Sequence, residues 1–202
     1  LEPGDMLYLP PDIAHHGVAL EPGMTFSIGA RAPSAADLLQ GLGEWFAIKG
    51  HEGGRYSDPA LEPVTRPGEI ERSALHNLRA LMLAGLDANP DLDNFLAAFV
   101  SRFRMAHEPL PPPTTIRAGK LLRALQQGVC LLRNPWTRLA WIEYRDGARM
   151  YAAGQSYDCS IQLAETLCES EQPCLSKDML DPVSLQTLAR LVNNGHFLMV
   201  NN

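Results

Sequence analysis

The segment EPLPPPTT, residues 108–115, constrains this 202-residue chain more than any other stretch. Each proline fixes φ near −65° and lacks an N–H, so consecutive prolines exclude helix and favour extended polyproline backbone. The chain is therefore expected to organise on either side of a linker at 108–115. On the C-terminal side (116–202), apolar periodicity predicts a helix over about 116–127 and then strands at VCLLRN, RLAWIEY and ARMYAAG. Gly147 is placed in the turn between the last two. Helices near 161–168 and 182–192 and a closing strand HFLMV follow. One small antiparallel sheet with packed helices predicts a compact α+β module of winged-helix type.

On the N-terminal side two compositions alternate. Residues 34–107 read as helical. Ser34 is a candidate N-cap with Asp37 three residues on, and Leu38, Leu39, Leu42, Trp45 and Phe46 form an apolar stripe ending near Gly50. A second helix is expected from about Glu69 to Leu86. A third starts near Asp91 and carries Phe95, Leu96, Phe99 and Phe103. Residues 1–33 read differently: DMLYLP and MTFSIGARAP alternate and are separated by turn residues, which predicts strands of a larger β-structure. The chain opens on Leu-Glu-Pro-Gly, as if entering a fold midway.

Charge and composition narrow the function. A formal net charge of −6 argues against generic binding to nucleic acid or anionic membrane. The helix expected in the DNA-reading position, DPVSLQTLARLVNNG, sets only Arg190 against Asp181, so no direct DNA binding is expected. No apolar run approaches the ~20 residues of a membrane span, and residues 1–5 have no signal-peptide character, so a cytoplasmic location is expected. Cys130, Cys159, Cys168 and Cys174 show no metal-ligand spacing and read as reduced structural cysteines.

The sequence GDMLYLPPDIAHHGVAL holds the chemistry. Neighbouring side chains of an extended segment point to opposite faces, so at most one of His15 and His16 can face a site. A strand, a proline turn, a histidine and a glycine together present an iron ligand in cupin and JmjC-type double-stranded β-helix oxygenases. The stretch PGDMLYLPPDIAHHGVALEPGMTFSIGARAP resembles the end of the catalytic domain of bacterial JmjC-type ribosomal oxygenases. The resemblance continues through YSDP and the helical middle to the terminal module.

The resemblance implies an Fe(II)- and 2-oxoglutarate-dependent hydroxylase acting on an arginine of a large-subunit ribosomal protein. It maps the distal iron ligand onto His15, two residues before Gly17. The family's polar cosubstrate positions fall on Thr25 and Ser27, with Thr25 standing where relatives carry Asn. It also matches Arg31 to a family arginine and gives 34–107 as the homodimer interface. Such enzymes hold iron with two histidines and one carboxylate. No histidine of this chain has a carboxylate two residues later, so the remaining ligands are expected upstream and this chain alone is expected to be inactive. No catalytic acid, base or nucleophile is assigned. Tyr56 and Asp58 read as a loop clamp. The competing reading is a non-catalytic cupin or winged-helix protein serving in assembly.

Overall fold

The computed structural model describes residues 2–10, 12–29, 32–49, 54–57, 66–87 and 91–201. Arg31 and Asp58 lie outside them. The chain divides into two compact units, Leu1–Ala32 and Pro33–Asn202.

Within Leu1–Ala32 the described residues are extended and turning, without a β-strand, contrary to the strands expected at DMLYLP and MTFSIGARAP. The physical reason is pairing. A strand is stable only when neighbours fill its ladder and cover its apolar face. Here Met6, Phe26 and Ile28 are 93 %, 86 % and 95 % exposed.

The second unit begins with three helices: α1 (Ala35–Lys49), α2 (Arg72–Asp87) and α3 (Leu92–Arg102). Ser34 starts α1 as the sequence suggests. Its Oγ accepts from the Asp37 N–H at 3.1 Å, and the Asp37 carboxylate accepts from the Ser34 N–H at 2.9 Å. Leu42, Phe95 and Phe99 form the buried centre of an α1–α3 cluster, with Trp45, Phe46 and Phe103 packed around it. Gly41 makes this approach possible, since a Cβ there would stand 2.6 Å from the Phe99 ring.

Beyond the prolines come α4 (Ala118–Gln126), β1 (Val129–Arg133), β2 (Leu139–Tyr144), β3 (Gly147–Ala152), β4 (Gln155–Cys159), α5 (Ile161–Glu169), α6 (Pro182–Asn193) and β5 (Phe197–Asn201). A single 3₁₀ turn, Lys177–Met179, precedes α6. The strands form two antiparallel sheets, β1–β5 and the meander β2–β3–β4. Strand β4 is an addition to the sequence reading. Its pairing follows from the two-residue turn Ala153-Gly154, with φ of 49° and 82°, the left-handed pair a tight hairpin needs. Gly147 proves not to be the turn residue. Arg145 takes the positive φ of 54°, and Gly147 opens β3, where a Cβ would press within 2.7 Å of the Cys159 carbonyl.

The meander is covered on both faces. Ala148, Met150 and Ala152 point into the main core with Leu163, Leu167 and Leu188 of α5 and α6. Tyr151, on the opposite face, is buried toward α3 and donates to Asn94 Oδ1 at 2.9 Å. Ser101 Oγ accepts from the Gly154 N–H at 2.9 Å and donates to the Ala98 carbonyl. Arg138 donates to the Val100 and Phe103 carbonyls and so closes the C-terminal end of α3. Helix α3, which precedes the prolines, is thus built into the sheet that follows them.

The proline-rich segment is itself docked. Pro109 is buried, His107 stands edge-on to Trp136 at 4.4 Å, and the Asn193 side chain accepts from the Ile116 N–H and donates to its carbonyl.

One buried histidine makes stability depend on pH. His196 is 2 % exposed, with Nδ1 3.2 Å from Thr137 Oγ1, and burial holds its pKa down from 6.5 to about 4. Between those values the unfolded chain takes up a proton that the folded chain refuses. Stability should therefore fall as pH drops from 6.5 toward 4, by up to about 3 kcal/mol. Urea unfolding midpoints at neutral and mildly acidic pH will show this slope, and His196→Gln should flatten it. A wild-type midpoint constant over that window would contradict the assignment.

Candidate functional site

The candidate ligand sits just after a turn. Asp12 stands in a turn and adopts φ of 63°, a conformation that aspartate tolerates better than most side chains. His15 follows, exposed, with Nδ1 3.1 Å from the Ile13 carbonyl. That carbonyl can only accept, so Nδ1–H is the donor in this contact, and in the neutral ring Nε2 then carries the lone pair. A histidine metal ligand is oriented in this way, with one nitrogen held by a carbonyl and the other free.

Thr25 and Ser27 are exposed, as is His16. Among the described residues no group of three His, Cys, Asp or Glu side chains could hold a metal ion. The donor set fits one ligand of an iron centre and does not fit a complete centre. Tyr56 lies exposed in the short segment 54–57.

Among its described residues the terminal module offers no alternative metal centre. A shallow cleft is lined by Tyr144, Arg145, Asp146, Cys159, Ser160 and Asp181. Arg149 crosses the meander beside it, donating to both Asp158 oxygens at 2.6 and 3.1 Å and lying 3.5 Å over the Tyr144 ring. Its hydrogen bonds hold the Asp158 carboxyl below the usual range. Burial raises Asp181, yet the hydrogen bonds it accepts from Ser184 and Val183 outweigh that and bring it below its ordinary value. Burial pushes the Cys159 thiol up to about 12. Carboxylates that stay ionised and a thiol that stays protonated provide neither a base poised near neutrality nor a nucleophile.

Comparison with known proteins finds two families along the chain. Residues 1–38 match the JmjC domain family, and residues 75–197 match the family described as ROXA-like winged helix. The chain belongs to the ROXA-like winged-helix family. The matched span starts inside α2 and runs through the proline segment, as the docking of α3 on the meander requires. The chain is 31 % identical over 201 residues to the ribosomal protein uL16 3-hydroxylase of Escherichia coli, an alignment covering 98 % of this chain and 53 % of that protein. It is also 44 % identical over 46 residues to a probable ribosomal oxygenase of Haemophilus influenzae, covering 23 % of this chain and 11 % of that one.

Solved structures of the E. coli ribosomal oxygenase YcfD superpose with a TM-score of 0.68. One is a complex with cobalt and 2-oxoglutarate, at 26 % identity over 84 % of this chain and 47 % of YcfD. Another is a complex with cobalt and succinic acid, at 25 % identity over the same shares. The sequence resemblance to bacterial JmjC-type ribosomal oxygenases thus holds over nearly the whole chain. The chain spans about half the length of the E. coli relative.

Proposed function

We propose that this chain is part of an Fe(II)- and 2-oxoglutarate-dependent protein hydroxylase that acts on an arginine of a large-subunit ribosomal protein. The observation that carries the reading is His15, inside the JmjC match, with Nδ1 held by the Ile13 carbonyl and Nε2 free. The relationship to the uL16 3-hydroxylase supports the substrate class. Iron with 2-oxoglutarate supplies the activation of O₂. The part of this chain is to hold one coordination position through His15 and to line the cosubstrate pocket with Thr25 and Ser27. In this reading residues 1–33 end the catalytic barrel, 34–107 serve dimerisation, 108–115 link, and 116–202 form the winged-helix module.

The test is direct. A complete protein containing this chain, given Fe(II), 2-oxoglutarate and a uL16 peptide, should add one oxygen atom to the peptide, read by mass spectrometry with the residue located by fragmentation. Failure of every large-subunit ribosomal-protein substrate would overturn the reading. A cytoplasmic location is in keeping with a ribosomal substrate. Among the described residues no helix is long and apolar enough to cross a membrane.

Homodimerisation belongs to the same reading and finds support in α2. That helix buries none of its residues among the described ones and leaves Leu75, Met82 and Leu83 53 %, 69 % and 51 % exposed. Trp45 and Phe46, in contrast, are spent inside the chain on the α1–α3 cluster. Leu78→Glu with Met82→Glu should convert dimer to monomer in light scattering without loss of helix. Polar replacement of Trp45 and Phe46 should instead loosen the fold. An unchanged mass after the α2 changes would remove the interface from this helix.

A further inference from the structure

Charge is unevenly distributed along this chain. From Pro109 to Ile142 no Asp or Glu occurs, while Arg117, Lys120, Arg123, Arg133 and Arg138 do, in a protein of formal net charge −6. The fold uses two of these cations internally. Arg133 donates to the Leu167 and Cys168 carbonyls at the end of α5, and Arg138 closes α3. The other three are exposed at α4: Arg117 is its N-cap, and Lys120 and Arg123 follow on the helix, about 4.5 Å apart along the axis. Among the described residues none of the three forms a salt bridge; Arg123 Nε donates to the Gly119 carbonyl, which leaves its two terminal nitrogens for a partner.

The two elements that pack most on α4 carry no acidic residue within their ranges. Helix α4 packs on α6 and β1. The end of α6 that meets it bonds Ile116 through Asn193, while Arg190 and Asn194 turn to β4, to the Ser156 carbonyl and the Tyr157 side chain. The acid of α6, Asp181, caps its opposite end, roughly 18 Å away at 1.5 Å per residue. Strand β1 carries only Arg133, and β5 carries no charge.

We propose that the exposed face of α4 docks the phosphate backbone of RNA. The exposed residues of α4 and its two caps are Arg117, Gly119, Lys120, Arg123, Gln126 and Gln127: cations, amides and a glycine, with no apolar side chain among them. A protein partner needs an apolar or aromatic centre to its interface, which this face lacks. Phosphate contacts are made by these side-chain types and need no such centre. Two cations on a nine-residue helix and a third at its N-cap suit a flexible single strand better than a duplex groove. The choice of RNA over DNA also rests on the ribosomal substrate proposed above. The net charge of −6 does not forbid local contact, because the Debye length is about 8 Å at physiological salt.

The test uses the 202-residue chain and a fluorescent oligouridylate of about 20 nucleotides, with anisotropy measured across a potassium chloride series. The logarithm of affinity should fall with the logarithm of salt at a slope of about −2, the value for three phosphates on a single strand. Arg117→Gln, Lys120→Gln and Arg123→Gln together should lower low-salt affinity by about tenfold or more and flatten the slope. Lys177→Gln, a charge change elsewhere in the module, should leave both unchanged. Circular dichroism will establish that the triple variant is folded. Salt-independent or absent binding, equal binding by the folded triple variant, tighter binding of a DNA duplex, or equal displacement by polyglutamate would each overturn the proposal. Loss of the oxygenase reading would appear as absent 2-oxoglutarate turnover and would not alter this binding result.

Discussion

In a complete oxygenase containing this chain, His15→Ala should abolish Fe(II)-dependent turnover of 2-oxoglutarate, while His16→Ala should keep most of it. The two imidazoles are adjacent and both exposed, so chemistry must separate them. His15 alone has the Nδ1 contact to a backbone carbonyl, 3.1 Å to Ile13, that leaves Nε2 available as a ligand. Loss of a group that merely orients a ligand costs about 10–100-fold, and loss of the ligand itself should exceed that range. Succinate formation and iron content should fall together in His15→Ala and stay together in His16→Ala. The opposite pattern would transfer the role to His16. The 202-residue chain alone, with no further cluster of ligands among its described residues, should not retain Fe(II) through gel filtration. Stoichiometric retention would show that a centre forms without other ligands.

The second large effect concerns folding. Gly195→Ala should destabilise the second unit by about 4 kcal/mol or more, at the diagnostic end of single substitutions. Gly195 sits at φ of +79°, where an L side chain costs about 1–2 kcal/mol. Its missing Cβ would stand 2.2 Å from the Leu110 carbonyl oxygen and 2.7 Å from the carbonyl carbon. Those are backbone atoms of a segment stiffened by Pro109 and Pro111 on either side, so the neighbour cannot move aside. Two other glycines calibrate the prediction. At Gly154, φ of +82°, the Cβ would meet only the flexible Arg102 side chain, so alanine should cost about 1–2 kcal/mol. At Gly119, inside α4 and with open space around it, alanine should stabilise by about 0.5–1 kcal/mol. Thermal melting of the three variants should rank them in that order. A Gly195→Ala protein that melts with the wild type, with 108–115 still protected from proteolysis, would mean that this contact does not hold the segment.

Local codes were legible in the sequence because their partners lie within a few residues. Ser34 and Asp37 satisfy each other's backbone groups at a separation of three, and Pro182 opens α6 where its missing N–H costs nothing. Strands β1, β2, β3 and β5 could be read from apolar runs. Strand β4 was not legible, since Gln155–Cys159 has little apolar content and depends on β3 for its ladder.

The proline segment shows the boundary most clearly. Its composition determined that it would be extended, but could not decide whether it swings free or lies against the module. That was settled by distant partners: Gly195, Asn193 and Trp136 stand far along the chain from the groups they meet. The same holds for α3, which the prolines separate from the meander in sequence and which Ser101, Asn94 and Arg138 bind to it. Backbone stiffness and capping are properties of neighbours in sequence, and the sequence by itself determined them. Which surfaces meet, and which cations remain exposed afterwards, depends on burial between residues tens of positions apart, and only the tertiary structure decided that.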